Sequence, residues 1–551
     1  MREQQPELPD LIGGDLSRRA VMEGTGKLLL SAAALWALNG CTTAPSPAPG
    51  PKPESTKTPE RPEEIFLLHT AESLLSLGEE SNGGLRFQSE IQAPNYQVDR
   101  DVGAASVGMG FLAMAEKYPE NPKWIEAAKK TAAWLTAVSS PDEHGGRYWH
   151  DYVNSESDVS TDVYTSFDDG AIGIGDFYWR LYEATNIDQY KTTAFETLEW
   201  TFSQAENVGQ GEDAYRWRWD IGDHSQPYYI GMGEGVVGII HTLATYYDRI
   251  VNSDPEMAAK CKSYMEGGLR YLDQARAELV NQTSEQSDIR AIPYTDPNAQ
   301  QDQEDGNTEM DSGYLSGAAG AAFMYLKLHQ VFGNEQDTHY LDKANVLFGW
   351  LEDSQDGPLV ESPDGSVTWK LSLDPQGGDD DSNATGFEEG NAGIGWVYLQ
   401  AYSITHNRHY LTMAQKSADW LLNAAKNDNG ALSWHEDEHP TNPLVHANLN
   451  NGAAGIGSFL QDMYLATGGV KYGRGARGAL KWLMTSARHY GEHIYWKDNG
   501  GFDNGNSGPS SPYNNDPSWH WGDAGIMAFA LRMVGGGTDI PGEQSALLSK
   551  S

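Results

Sequence analysis

Cysteine is nearly absent from this chain of 551 residues: there are two, Cys41 and Cys261, and no Cys-x-x-Cys. That excludes a disulfide framework. Cys261 sits in the helical stretch MAAKCKSYMEGGLRYL and reads as an ordinary semi-buried thiol. Positive charge is scarce as well, with 38 Lys and Arg against 78 Asp and Glu and a formal net charge of −40. No basic stripe is visible, and like charges repel, so a nucleic-acid backbone is excluded as a partner. The acidity fits a secreted protein and equally one adapted to high salt. What the chain does have is 39% apolar and 11% aromatic content, enough for a large core and too apolar for general disorder. Its 17 Trp and 27 Tyr suggest aromatic-lined surfaces as well as core.

The N-terminal segment reads as an export signal. Arg18 and Arg19 precede a modest apolar run, GTGKLLLSAAALWALNGC, that ends in Leu38-Asn39-Gly40-Cys41. The pattern resembles a twin-arginine signal joined to a lipoprotein cleavage box over residues 1–41, with Cys41 as the lipidated residue. An uncleaved membrane anchor is the other reading of the same run. Residues 42–60, rich in Pro, Ser and Thr, cannot build a core and read as a tether. Both readings place the remaining chain outside the cytoplasm.

A motif recurs along that remainder. GAIGIGDFYWRLYEATN, GEGVVGIIHTLATYYDR, GAAGAAFMYLKLHQVFGN, GNAGIGWVYLQAYSITHN, GAAGIGSFLQDMYLATG and GDAGIMAFALRMVGG are six copies. ASVGMGFLAMAEKYPEN is a weaker seventh, with Ala105 in place of the first Gly. With the second Gly as anchor, the copies stand at Gly108, Gly173, Gly238, Gly320, Gly393, Gly455 and Gly525, roughly 60 to 80 residues apart. Each opens a helix that is apolar almost all round, the mark of a buried helix. Each is preceded by an amphipathic helix such as Arg408 to Lys426, where Tyr410, Leu411, Ala414, Ala418, Leu421, Leu422 and Ala425 share one face. Gly/aromatic pieces such as GGRYWHDY, AYRWRWD and GALSWHED lie between. Counting 61–81 as the first outer helix gives seven helical hairpins. The expected fold is all-α, an (α/α)7 toroid over residues 61–535, with short hairpin-like loops on one face and a tail at 536–551.

GAIGIG, GNAGIG, GAAGIG and the final DPSWHWGDAGI make this region resemble the lanthionine synthetase C-like family, whose fold is an (α/α)7 barrel. In that family's cyclases a central zinc ion activates a peptide cysteine for addition to a dehydrated Ser or Thr. Its ligands are Cys, Cys and His, from a W-C-x-G and a C-H-G motif. Here the corresponding stretches read Phe387-Glu388-Glu389-Gly390 and Asn450-Asn451-Gly452, so all three ligands are changed. The resemblance therefore implies the fold without the thiolate zinc site.

In a toroid the inner N-termini converge on one cavity. The residues before each Gly would meet there: Asp168, Asp169, Glu234, Ser316, Glu388, Glu389, Asn450, Asn451, Trp519, His520 and Trp521. The alternative is that Asp168, Asp169, Ser316, Asn450 and Asn451 are helix N-caps and the glutamates first-turn acids. As a bowl, the set offers Glu388, Glu389, Asp168, Asp169, Glu234 and His520 for acid–base catalysis. Asn450, Asn451, Trp519 and Trp521 would bind substrate. Paired carboxyls and aromatic faces suit a glycan, and the bowl equally suits a peptide. The expectation is a lipid-anchored, extracytoplasmic protein that binds or processes a glycan or peptide. A glycoside hydrolase-like enzyme and a non-catalytic binding or scaffold lipoprotein are the alternatives. No cofactor is expected. Calcium on the carboxylates or on the acidic loops Gln301 to Asp311 and Gly377 to Asn383 is the other reading, against plain solvated loops.

Overall fold

The computed structural model describes residues 61–88, 95–282, 290–297, 309–333, 339–373, 382–437, 444–490, 493–496 and 516–535. The chain divides into Met1–Pro59 and Glu60–Ser551. The expected export signal at 1–41 with Cys41, the expected tether at 42–60 and the tail at 536–551 lie outside the described residues. No helix among the described residues is long and apolar enough to cross a membrane.

Helices alternate between two environments. The outer set is α1 (Pro62–Ser76), α3 (Pro122–Val138), α5 (Asp188–Ser203), α7 (Pro255–Gln282), α9 (Tyr340–Leu351), α11 (Arg408–Ala424) and α13 (Val470–Ser486). The inner set is α2 (Ala104–Lys117), α4 (Ala171–Thr185), α6 (Val236–Ile250), α8 (Ala318–Phe332), α10 (Asn391–Thr405), α12 (Ala453–Thr467) and α14 (Asp523–Met533). Ala318 through Leu328 of α8 are all buried, whereas α11 buries one stripe, Tyr410, Met413, Ala414, Ser417, Ala418, Trp420 and Leu421. These are the two patterns the sequence predicts.

Local signals set the turns. Inner helices α4, α10 and α12 stop at Asn186, His406 and Gly468, all left-handed, whose N–H groups return to Tyr182, Tyr402 and Tyr464. The chain then reverses directly into the next outer helix. Asn121 caps α3 by accepting from Lys123 N at 3.2 Å, and Pro122 follows where no backbone donor is needed. Each inner helix touches both inner neighbours, and α14 returns to α2, so the ring of seven closes. The seventh hairpin is made from the two ends of the domain, because α14 packs on α1. Arg61 donates to Val534 O at 3.4 Å, and Lys117 Nζ to Gly535 O at 3.1 Å.

After the outer helices come two-stranded antiparallel hairpins, such as Glu79–Ser81 with Gly84–Arg86 and Lys426–Asp428 with Ala431–Ser433. Their turns are Asn82-Gly83 and Asn429-Gly430, both residues at positive φ. The Gly/aromatic pieces lie here, and five of their tryptophans are core residues rather than cavity lining. Trp149, Trp217, Trp369, Trp434 and Trp496 donate their indole N–H to Leu135, Thr201, Leu351, Leu421 and Leu483 O, each at 2.7–2.8 Å. A buried indole thus satisfies a carbonyl near the open end of its outer helix.

Cys261 is buried in α7, and burial pushes its thiol up to about 12, as suits an inert core residue.

Candidate functional site

Every inner helix has glycine at its N-cap: Gly103, Gly170, Gly235, Gly317, Gly390, Gly452 and Gly522. None of these caps carries a side-chain bond, so Asp168, Asp169, Ser316, Asn450 and Asn451 are not N-caps. The bracing comes from further back: Asp99 Oδ1 accepts from Val102 N and Gly103 N, and Asn448 Oδ1 from Asn451 N, at 2.7–2.9 Å. The caps also correct the register of the first copy. It begins at Gly103, so its anchor is Ser106, and Gly108 matches Gly175, Gly395 and Gly457 instead.

In that register, the residues two before each cap form a ring: Asp101, Asp168, Gly233, Leu315, Glu388, Asn450 and His520. Backbone bonds hand the ring from one repeat to the next. Arg100 N donates to Asp168 O, Asp168 N to Gly233 O, Gly233 N to Leu315 O, Leu315 N to Glu388 O, Glu388 N to Asn450 O and Asn450 N to His520 O, all at 2.9–3.3 Å. Across the seventh step, from last repeat to first, His520 Nδ1 lies 2.7 Å from Asp101 Oδ1. Ring residues Asp168, Leu315, Glu388, Asn450 and His520, with Phe167, Met232, Tyr314, Phe387, Leu449 and Trp519 before the caps, line one cavity.

Charge in this inner ring is buried. Arg100 Nη1 binds Asp168 Oδ1 at 2.6 Å while its guanidinium lies over Phe167 at 3.9 Å. Burial still raises the Asp168 carboxyl, against the pull of His520 and Arg100. Burial also drives Glu388 well above the usual carboxylate range. It opposes a charge on His520, yet Glu388 and Asp101 outweigh it and hold the imidazole up to about 10. His520 Nδ1 is 3.1 Å from Glu388 Oε1.

The residues one before each cap form a second, half-buried tier, held by loop residues and by one contact within the tier. Trp219 Nε1 donates to Asp169 Oδ2 at 2.9 Å, Tyr294 OH to Glu234 Oε2 at 3.4 Å, Ser316 Oγ to Glu389 Oε2 at 2.7 Å and Asn451 Nδ2 to Glu436 Oε1 at 3.1 Å. Burial raises Asp169 and Glu389 well above normal, and raises Glu234 to about 7. Beside this tier runs a half-exposed aromatic arc. Tyr164 stacks on Trp219 at 4.5 Å, Tyr229 meets Trp219 edge-on at 5.5 Å, and Tyr294 meets Tyr229 at 5.3 Å.

The structure thus brings Asp168, Glu388, Asn450, Trp519 and His520 to the inner cavity and Asp169, Glu234, Glu389 and Asn451 to the upper tier. Trp521 is half-buried one residue before its cap. Sequence reasoning missed Asp101, Arg100 and the Tyr164–Trp219–Tyr229–Tyr294 arc. Asp101 was legible as the residue two before Gly103, had the first copy been aligned on its cap. Residues 301–308 and 377–381 of the two acidic loops lie outside the described residues.

This is an α/α toroid whose inner helix N-termini open onto a carboxylate-rich axial site. Residues 363–538 match the model of the family described as lanthionine synthetase C-like protein. Nisin cyclase shares the fold, at 11% identity and a TM-score of 0.50, over 88% of this chain and 96% of that one. An α-mannanase of glycoside hydrolase family 76 from Bacteroides thetaiotaomicron aligns at 12% identity over 86% of this chain and 96% of its own, TM-score 0.43. A sugar epimerase from a ruminal bacterium aligns at 14% identity over 68% and 90%, TM-score 0.45. No curated protein matches the sequence.

Proposed function

We propose that this protein binds a glycan across the upper tier and transfers protons to or from it, outside the cytoplasm and tethered through a lipid on Cys41. The observation that carries the reading is the aromatic arc joined to carboxyls: Trp219 holds Asp169, and Tyr294 holds Glu234. An exposed ring face packs on the C–H face of a sugar, while adjacent carboxyls accept its hydroxyl protons. A carboxyl raised to about 7 can donate or accept a proton at neutral pH. Thiol activation by a Cys/Cys/His zinc site is not part of this reading, since Glu388, Asn450 and Asn451 occupy those positions.

The test is a tryptophan-fluorescence titration with neutral hexose oligomers and amino-sugar oligomers, followed by product analysis of any ligand found. Trp219→Ala is expected to weaken binding at least about tenfold without lowering the melting temperature. Glu234→Gln is expected to bind within about threefold of wild type but to turn over at least about 100-fold more slowly. Failure of every oligomer to bind, or intact binding by Trp219→Ala, overturns the proposal.

A further inference from the structure

We infer that Asp101, Glu388 and His520 form a binding site for one divalent cation of the zinc or manganese class at the wall of the central cavity. Asp101 Oδ1, Glu388 Oε1 and His520 Nδ1 converge within 4.8 Å of one another. The two contacts to the imidazole are short, at 2.7 and 3.1 Å, yet none of the three atoms has a hydrogen-bond partner. Donor atoms facing one another closely without hydrogen-bond alignment are what a common cation would organise. A second observation is independent of this trio. Asn450 is 2% exposed, lines the same cavity as Glu388 and His520, and leaves its Oδ1 without a hydrogen-bond partner.

Ring order supports the assignment. Glu388, Asn450, His520 and Asp101 are four consecutive ring positions, from the fifth, sixth, seventh and first repeats. The remaining three carry no competing free charge: Asp168 is paired with Arg100, and Gly233 and Leu315 have no side-chain donor. Ligands on one arc and open cavity on the other give the cation a side free for an exchangeable oxygen. Two carboxylates balance a double positive charge once the imidazole has released its proton to solvent on binding the metal. An imidazole among oxygens favours zinc or manganese over calcium, which prefers an all-oxygen shell. The site uses a different ligand set from the Cys/Cys/His pattern of the family, sharing only the position of Glu388, and it stands apart from the glycan reading.

The experiment uses the full chain purified without chelator, with metal content read by elemental mass spectrometry. The protein is then stripped with EDTA and titrated calorimetrically with zinc, manganese or calcium chloride. We expect about one equivalent of zinc or manganese per chain, a higher melting temperature when it is bound, and calcium at least about 100-fold weaker. Glu388→Gln and His520→Gln should each weaken binding at least about 100-fold. His409→Gln, at the exposed His409–Glu352 pair, should leave it within about threefold. Should either ligand variant fail to fold, X-ray absorption on the wild-type metal complex still decides: one imidazole with oxygen donors is expected. Less than a tenth of an equivalent with no response to added metal, unchanged affinity in His520→Gln, or sulfur in the coordination shell overturns the inference. Loss of metal in a variant that still binds sugar leaves the glycan proposal standing, and the reverse result leaves this one standing.

Discussion

Glu234 is a carboxyl that the fold keeps protonated at a cost. Burial raises it to about 7 from an ordinary 4.5, with Asp168 and Asp101 adding to the rise and the Tyr294 hydroxyl opposing it. Asp169 and Glu389 feel Glu234 in turn. Because the folded pKa lies above the unfolded one, the folded state holds a proton that the unfolded state has released. Stability from this group therefore falls as pH rises from about 4.5 to about 7 and is flat beyond. Glu234→Gln should remove that fall and stabilise the protein above pH 7 by at most about 3 kcal/mol, read as urea denaturation at pH 5 and pH 8. If the two proteins lose stability in parallel over that range, Glu234 is not the group responsible. The same residue explains why the site was only partly legible. That carboxylates precede the glycines is plain in the sequence, but their pairing with Trp219 and Tyr294 depends on loops whose path no periodicity encodes.

At the scale of the inner helix, the anchor glycine is a requirement of contact. A Cβ on Gly393 would stand 1.8 Å from Phe387 O, and one on Gly455 would stand 1.9 Å from Leu449 O. The loop carrying the site residues lies directly on the first turn of its helix. Gly393→Ala should therefore cost at least about 3 kcal/mol, since backbone must move. Gly349→Ala in α9 should instead stabilise by up to about 1 kcal/mol, because the new Cβ would find only the Arg290 guanidinium at 3.6 Å. Urea titrations of both variants check the pair, and equal effects would refute the contact argument. This contact also explains the legibility of the fold. A glycine forced by a neighbouring carbonyl recurs at the same place in six repeats, and recurrence is what a single sequence can display. The first repeat hid its register because Ser106 fills the anchor position, with its hydroxyl bonded to Gly103 O at 2.6 Å. Asp101 was lost to view with it. Composition suggested aromatic surface as well as core without saying which residue goes where: Trp149, Trp217, Trp369, Trp434 and Trp496 are buried staples, whereas Trp219 is not.

For the whole molecule, the proposed anchor makes a separate prediction. Detergent phase partitioning of cells making the full chain should place it in the detergent phase, and Cys41→Ala should move it to the aqueous phase or leave an uncleaved precursor. An unchanged partition would remove lipidation from the proposal. The excess of acidic residues over basic ones keeps the exterior strongly negative, so a glycan or amino sugar meets less repulsion than an acidic peptide would.

The closure of α14 onto α1 and α2 has a consequence for how such a chain can change through descent. An open array of repeats can lose or duplicate a unit and remain a shorter or longer version of itself. A closed ring has no such freedom. Removing α1, α2 and the loop between them would leave α14 without two of its partners and would take Asp101 away from His520. Closure thus ties the first repeat to the last, so that neither end can be trimmed without opening the site.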